Sequence, residues 1–258
     1  MGSRFAKPRT RKIKQTYKVL YLLPLRYTLL REVANYKNLI GLVKEILHQQ
    51  ILLITIFIIL MLYLLLMYAP LRNAIEKFVI LTDEEWNLLV PCLEIRTLKK
   101  HTLFAEIGKV ANEIGFVLDG MLRHYYINDG SEKTTYFYFE NHLVPSYFSC
   151  IHKQPSLLSI EALSDCKLIV FPYTALQELF ERNMAWQKFG RLLAEYLASG
   201  LEERMVGLLT LSPEERYMEL IKGNKIKIIE RIPQHYIANY LGLTPVSLSR
   251  IRNRVMKK

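Results

Sequence analysis

Ala238 and, four residues on, Gly242 limit the local fold more sharply than any other feature of these 258 residues. Two helices that cross closely need a small side chain at the crossing, which Ala238 supplies. A tight turn between them needs a residue free to take a positive φ, which Gly242 supplies. Around this pair Ile237, Leu241, Leu243, Leu248 and Ile251 recur at helical spacing and predict the inward faces of both helices. Pro233 lies near the first turn of the first helix, and Thr244 followed by Pro245 offers a hydroxyl cap and then a proline at the first helical position. Ser247, Ser249, Arg250, Asn253 and Arg254 are left on the outer face of the second helix. From Arg231 to the end there are six Lys or Arg and no Asp or Glu, a balance suited to neutralising phosphates. The segment from Gln234 to Arg252 reads as a helix-turn-helix, a unit that lays a helix in a DNA major groove. The plainer alternative is a surface helical hairpin with a basic tail, and the ordered small, glycine, cap and basic positions favour the reader.

The net charge of +11 is unevenly spread. Residues 1–66 hold 11 Lys or Arg against Glu32 and Glu45, a balance of +9, whereas residues 67–258 hold 24 against 22, a balance of +2. Ile51 to Ala69 is a run of 19 residues without a charge, long enough to cross a hydrocarbon core as a helix. The positive-inside tendency would keep the basic stretch before it in the cytoplasm and send the C-terminal part outside, where a DNA reader cannot work. A cleaved signal peptide fits poorly, because the preceding basic region is too long and no clear small-residue cleavage site follows. Three accounts stand. Residues 1–66 are a non-native extension, with translation starting at Met61 or, better, Met67; or residues 51–69 anchor the chain in an inner membrane against the charge bias; or the apolar helix is buried in protein, within the fold or at a partner interface. The first is preferred, and a native peptide starting upstream of Met61 would remove it.

Cys92, Cys150 and Cys166 form no CxxC pair and read as reduced cytosolic thiols; their number excludes a four-cysteine iron–sulfur sensor within one chain. Leu71 to Val90 is expected to be helical, with a capping pattern at Thr82. The period then changes. Leu93 to Leu98, Ile114 to Leu118, Met121 to Ile127, Thr134 to Phe139 and Lys167 to Phe171 read as short strands, with hairpin signals at Asp119-Gly120 and Asn128 to Gly130. Strands joined in this way predict a β-roll of the cupin-like jelly-roll kind. Tyr173 to about Leu211 is helical with a break near Asn183 and Met184. Trp186, Phe189, Leu192, Leu193, Tyr196, Leu197, Leu201, Met205 and Leu208 make an apolar face that packs on the β-roll and pairs with its copy, the alternative being a helix internal to one chain. Ser212 to Glu215 caps the next helix. Lys225 to Glu230 is a β-type run that predicts a small wing.

The expected fold is therefore α+β: a basic and apolar extension (1–66), a β-roll sensor with a leading helix (67–173), a long dimerisation helix region (174–211) and a winged helix-turn-helix (212–258). This order of elements, with the segment Gly115 to Arg123, the helix from Trp186 and the segment Ile232 to Arg252, resembles the Crp/Fnr family of bacterial transcription regulators, in particular its shorter members lacking an obvious cyclic-nucleotide motif. The resemblance runs from about Leu71 to the C-terminus and implies a cytoplasmic homodimer on double-stranded DNA, with RNA polymerase as a further partner. It makes Arg250 the first choice for a base contact, since an arginine fork can read guanine. Ser247 and Ser249 match other groove-facing positions, while Pro245 and Val246 replace the Arg and Glu of cyclic-AMP-responsive members, so the preferred site should differ. Thr244, Gln234, His235, Arg252, Arg254, Lys257 and Lys258 are assigned to phosphates.

The effector region departs further. Cyclic-nucleotide-binding members carry a Phe-Gly-Glu segment and an Arg-Ser or Arg-Thr pair; here the matching stretches are Leu143 to Phe148 and Ser156 to Ala162, without the arginine. A cyclic phosphate would lack its charge partner. Tyr125, Tyr126, Tyr136, Tyr138 and Phe139 could line another pocket, although alternating strand aromatics more often serve packing. No cofactor is predicted and no effector follows. The competing class is a cupin-like metal enzyme using His101, His124, His142 or His152, but there is no HxH pair, GxSxG elbow, HExxH helix or phosphate-binding glycine loop, so catalysis is not expected.

Overall fold

The computed structural model describes residues 10–222 and 225–255, with side chains from residue 31 onward except at Ala34. The chain divides into two compact units, Met1–Leu65 and Leu66–Lys258. Among the described residues the first unit is helix α1 (Thr10–Glu76), whose last residues belong to the second. Within the first unit every described side chain from residue 31 onward is exposed except Leu64.

In the second unit the end of α1 is anchored by Tyr68, Leu71 and Ile75, all buried. The Thr82 and Glu85 pair forms the expected reciprocal cap on α2 (Asp83–Asn87). The β-roll then comprises β1 (Glu94–Leu98), β2 (Leu103–Ala105), β3 (Glu113–Asp119), β4 (Leu122–Asn128), β5 (Ser131–Tyr138), β6 (Leu143–Pro145), a short helix α3 (Tyr147–His152), β7 (Ser159–Ala162) and β8 (Cys166–Pro172). Two antiparallel four-stranded sheets face each other, ordered β1-β8-β3-β6 and β2-β7-β4-β5. Val117, Val144, Leu168 and Val170 from one and Leu122, Tyr138, Ile160 and Ala162 from the other fill the space between them. All five expected strands are present. β2, β6, β7 and α3 escaped sequence analysis, because a three- or four-residue strand shows too few positions for alternation to register.

The two hairpin signals separate on inspection. Asn128 pairs with Ser131 across Asp129 and Gly130, whose φ values of 49° and 71° are the left-handed pair that a two-residue hairpin turn requires. Asp119-Gly120 is not a hairpin. It is a corner, because β3 and β4 lie in different sheets. Gly120 takes φ 99°, and a Cβ there would sit 2.6 Å from both the Asp165 carbonyl oxygen and Cys166 Sγ, so the corner needs glycine on two counts.

Two helices follow: α4 (Tyr173–Arg182) and α5 (Met184–Thr210). Asn183 separates them, its side-chain oxygen accepting the Ala185 and Trp186 amides. Trp186 and Phe189 at the start of α5 are fully buried, yet Tyr196, Leu201, Met205, Leu208 and Leu209 farther along are exposed. The last helices are α6 (Pro213–Lys222), α7 (Ile226–Arg231), α8 (Gln234–Leu241) and α9 (Pro245–Val255). Ser212 and Glu215 exchange the two bonds of a capping box at α6. The expected wing is wrong: Lys225 to Glu230 is mostly α7, and no strand follows β8 among the described residues. Its β-branched residues suggested a strand. Ile228 and Ile232, four apart, instead bury one helical face against Tyr217, Leu220 and Phe139, and packing overrides a weak propensity where no partner strand is at hand.

Candidate nucleic-acid interface

α8 and α9 are joined by the turn that sequence analysis expects. Gly242 has φ 71° and donates to the Asn239 carbonyl at 3.0 Å, while the Leu243 amide reaches back to the Ala238 carbonyl at 2.8 Å. Ala238, Ile237, Leu241, Leu248 and Ile251 are buried together, and Leu243 packs against them. At the start of α9 the Thr244 hydroxyl oxygen accepts the Ser247 amide at 3.2 Å, and Pro245 occupies the first turn, where a missing N–H costs nothing.

The outer face of α9 presents Pro245, Val246, Ser249, Arg250 and Asn253, all exposed. Ser247 is half-buried and its hydroxyl accepts one from Thr244 at 3.0 Å, so these two side chains serve the cap first. Gln234 and His235 are exposed at the start of α8. Arg252 is half-buried, and Arg254 is engaged with Glu214 at 2.7 Å, a pair that a phosphate would have to displace. Lys257 and Lys258 lie outside the described residues.

Sequence analysis missed the groups that orient α8. Arg204 of α5 donates to the Tyr240 carbonyl at 2.7 Å and stacks 3.7 Å from that ring, while Arg216 of α6 donates to the Leu241 carbonyl at 3.0 Å and also holds the Leu208 and Leu211 carbonyls. Two cations thus satisfy the last carbonyls of α8, where the helix dipole favours positive charge. Burial lowers the Arg204 pKa and the neighbouring Arg216 adds to that, but the stacked Tyr240 opposes it. Arginines 36 and 25 residues from their acceptors leave no local signal.

Two side chains of the expected effector stretches bond each other. Ser146 and Ser156, both buried, share a hydrogen bond of 2.7 Å, and Ser156 also donates to the Leu158 carbonyl. The aromatics do not gather around one space: Tyr125, Tyr138 and Phe139 are buried in packing, whereas Tyr126 and Tyr136 are exposed. The four histidines are dispersed in function. His101 meets Glu161 at 2.7 Å, His124 meets Thr135 at 2.6 Å with burial pushing its imidazole down to about 4, His142 is likewise lowered by burial, and His152 lies against Phe148. Among the described residues no three His, Cys, Asp or Glu side chains are grouped as metal ligands.

Residues 95–183 match the family model of the cyclic nucleotide-binding domain. The structure is similar to that of FixK2 from Bradyrhizobium japonicum, with 18% identity, a TM-score of 0.53 and 64% of this chain and 85% of that chain covered. It is also similar to a protein of the Crp/Fnr family from Eubacterium rectale, with 21% identity, a TM-score of 0.52 and coverage of 68% and 84%. The chain has the Crp/Fnr fold. No curated protein matches its sequence. Within this Crp/Fnr frame the β-roll corresponds to the cyclic nucleotide-binding domain, and the helices from α4 onward follow it.

Proposed function

We propose that the chain is a sequence-specific DNA-binding transcription regulator acting as a cytoplasmic homodimer, and not an enzyme. The observation that carries this is α9 itself: an exposed polar face with Arg250 at its centre, set by a glycine turn against a buried α8. Ser247 and Ser249, with Val246 and Pro245, would complete the base-reading surface. Gln234, His235, Thr244, Arg252, Arg254 and the terminal lysines would serve phosphates. The exposed apolar residues of α5, with Leu201 71% and Leu209 79% accessible, suit pairing with a second copy. Such a two-fold pair presents two reading helices about one DNA turn, roughly 34 Å, apart. A signal in the β-roll then acts through α5 on both heads, and RNA polymerase reads the outcome.

Selection from random duplex DNA with the full chain should enrich a palindrome whose half-sites are one turn apart; no enrichment would overturn the reading. Arg250→Ala should lower affinity for that site by roughly 1–3 kcal/mol and relax one base position. A variant with unchanged base preference would remove Arg250 from the reading set. Cyclic AMP should not bind tightly, since the stretch from Ser156 to Ala162 holds no arginine to pair with a cyclic phosphate. Calorimetry giving a micromolar dissociation constant would contradict this.

The length and apolar composition of the uncharged run 51–69 within α1 favour a second reading, a regulator anchored in the inner membrane by that segment. Recovery of the native protein in the membrane fraction after a carbonate wash would support it, and recovery in the supernatant would exclude it.

A further inference from the structure

The buried apolar cluster around α8 and α9 draws on Phe137, Phe139 and Leu163 of the β-roll and on α6 and α7, and among the described residues it includes no side chain of α5. Two arginines instead make the hydrogen bonds that join α5 to α8. Arg204 of α5 donates through Nη2 to the Tyr240 carbonyl at 2.7 Å, with its guanidinium 3.7 Å from the centre of the Tyr240 ring. Arg216 donates through Nη1 to the Leu208 and Leu211 carbonyls, at 3.1 and 3.2 Å, where α5 ends. Through Nη2 it donates to the Leu241 carbonyl at 3.0 Å, where α8 ends. One guanidinium thus serves the C-terminal ends of both helices, at which carbonyls lack partners and the helix dipole favours a cation.

A guanidinium fixes direction as well as distance, because its donors lie in one rigid plane. Apolar contact has no such directionality. Sliding or tilting α8 along α5 would break the bonds to Tyr240 and Leu241 and unstack the ring. Arg204 also borders the face that α5 offers to a second copy: Leu201 and Leu208, three residues before it and four after it, are both exposed. The stretch of α5 that would meet its copy is therefore the stretch that holds the end of α8.

We propose that Arg204 and Arg216 are positioning residues that set the distance and angle between the two reading helices of a dimer, and so fix the half-site spacing that the protein accepts. Base preference within each half-site belongs to α9. The inference rests on α9 reading DNA and on α5 pairing with a second copy.

The test is a random-duplex selection with the full chain, wild type against Arg204→Met, followed by affinities for the selected palindrome and for a duplex holding one half-site. Arg204→Lys, which keeps the charge but loses the planar fork, is measured in the same way and takes its place should the Met variant fail to fold. Wild type should enrich one spacing. The variants should enrich the same half-site at several spacings, with affinity for the lone half-site unchanged. The gain of the palindrome over the lone half-site should fall by roughly tenfold or more, since a second site adds avidity only where geometry lets both heads engage. A single, wild-type spacing in the variant would show that packing on the β-roll places the head, and overturns the assignment. Equal loss on both duplexes places the arginine within the head's own fold, and overturns it too. A wild type that binds one half-site as tightly as two removes the pairing on α5, and one that binds no duplex removes the DNA reading; either takes this inference with it.

Discussion

Arg123→Ala is expected to destabilise the second unit by about 3–5 kcal/mol, the cost of leaving a buried carboxylate without its cation. Arg123 is 3% exposed on β4, and its guanidinium bonds Glu161 of the adjacent strand β7 through Nε at 2.7 Å and Nη2 at 2.5 Å, and Glu132 of β5 at 2.6 Å. It thereby crosses three neighbouring strands of one sheet. Burial raises the Glu161 carboxyl, but hydrogen bonds from His101 and Arg123 outweigh this and hold it below its ordinary value. A carboxylate depressed in the folded state contributes stability above its unfolded pKa, and that contribution is lost as pH falls through the folded value. Without Arg123 the His101 bond is left to oppose burial, so Glu161 is held down less and the deficit of the variant should shrink under acid as Glu161 becomes neutral. Replacing the pair by Arg123→Met with Glu161→Leu should recover most of the loss, because an apolar pair has no unpaired charge to bury. Denaturant unfolding at neutral and acid pH checks both signs. A deficit that stays constant with pH would show that lost packing, not Glu161, sets the cost.

Trp186→Ala should cost a similar 3–5 kcal/mol by the usual penalty for emptying an aromatic site. For a unit of this size that lowers Tm by roughly 6–20 °C, at about 2–4 °C per kcal/mol. Trp186 is fully buried at the start of α5, edge-on to Phe189 at 5.8 Å, and its indole N–H donates to the Glu85 carbonyl at 3.0 Å. The Glu85 side chain in turn caps α2 and accepts from Asn183, the cap of α5. The ring thus closes a node at which α2 and α5 fix each other's first turns. Trp186→Phe should cost less, since it keeps most of the apolar volume but orphans the Glu85 carbonyl. Equal Tm values for the Phe and Ala variants would make the hydrogen bond, rather than volume, the dominant contribution.

Much of this was written locally. The caps at Thr82 and Ser212, the break at Asn183, the hairpin turn at Asp129-Gly130 and the α8–α9 turn at Gly242 are legible because each depends on residues within about four positions of one another, where side-chain size and backbone freedom alone decide. The exposed face of α9 follows from the same periodicity. What misled was also local: Asp119-Gly120 carries a hairpin signal, yet the strands on either side belong to different sheets. Ile226 to Ile229 carries strand propensity, yet burial against Tyr217 and Phe139 makes it α7.

By itself, the sequence determined that a β-roll is followed by helices, the last two joined by a glycine turn. Only tertiary structure decided that Asn239 completes the edge of β5, that Arg204 and Arg216 hold the end of α8, and that Arg123 lies buried between two carboxylates. The physical reason is separation along the chain. Asn239 meets Glu132 across 107 residues, Arg123 meets Glu161 across 38 and Arg216 meets Leu241 across 25, and their energies arise from desolvation and geometry that exist only once the sheets and helices have come together.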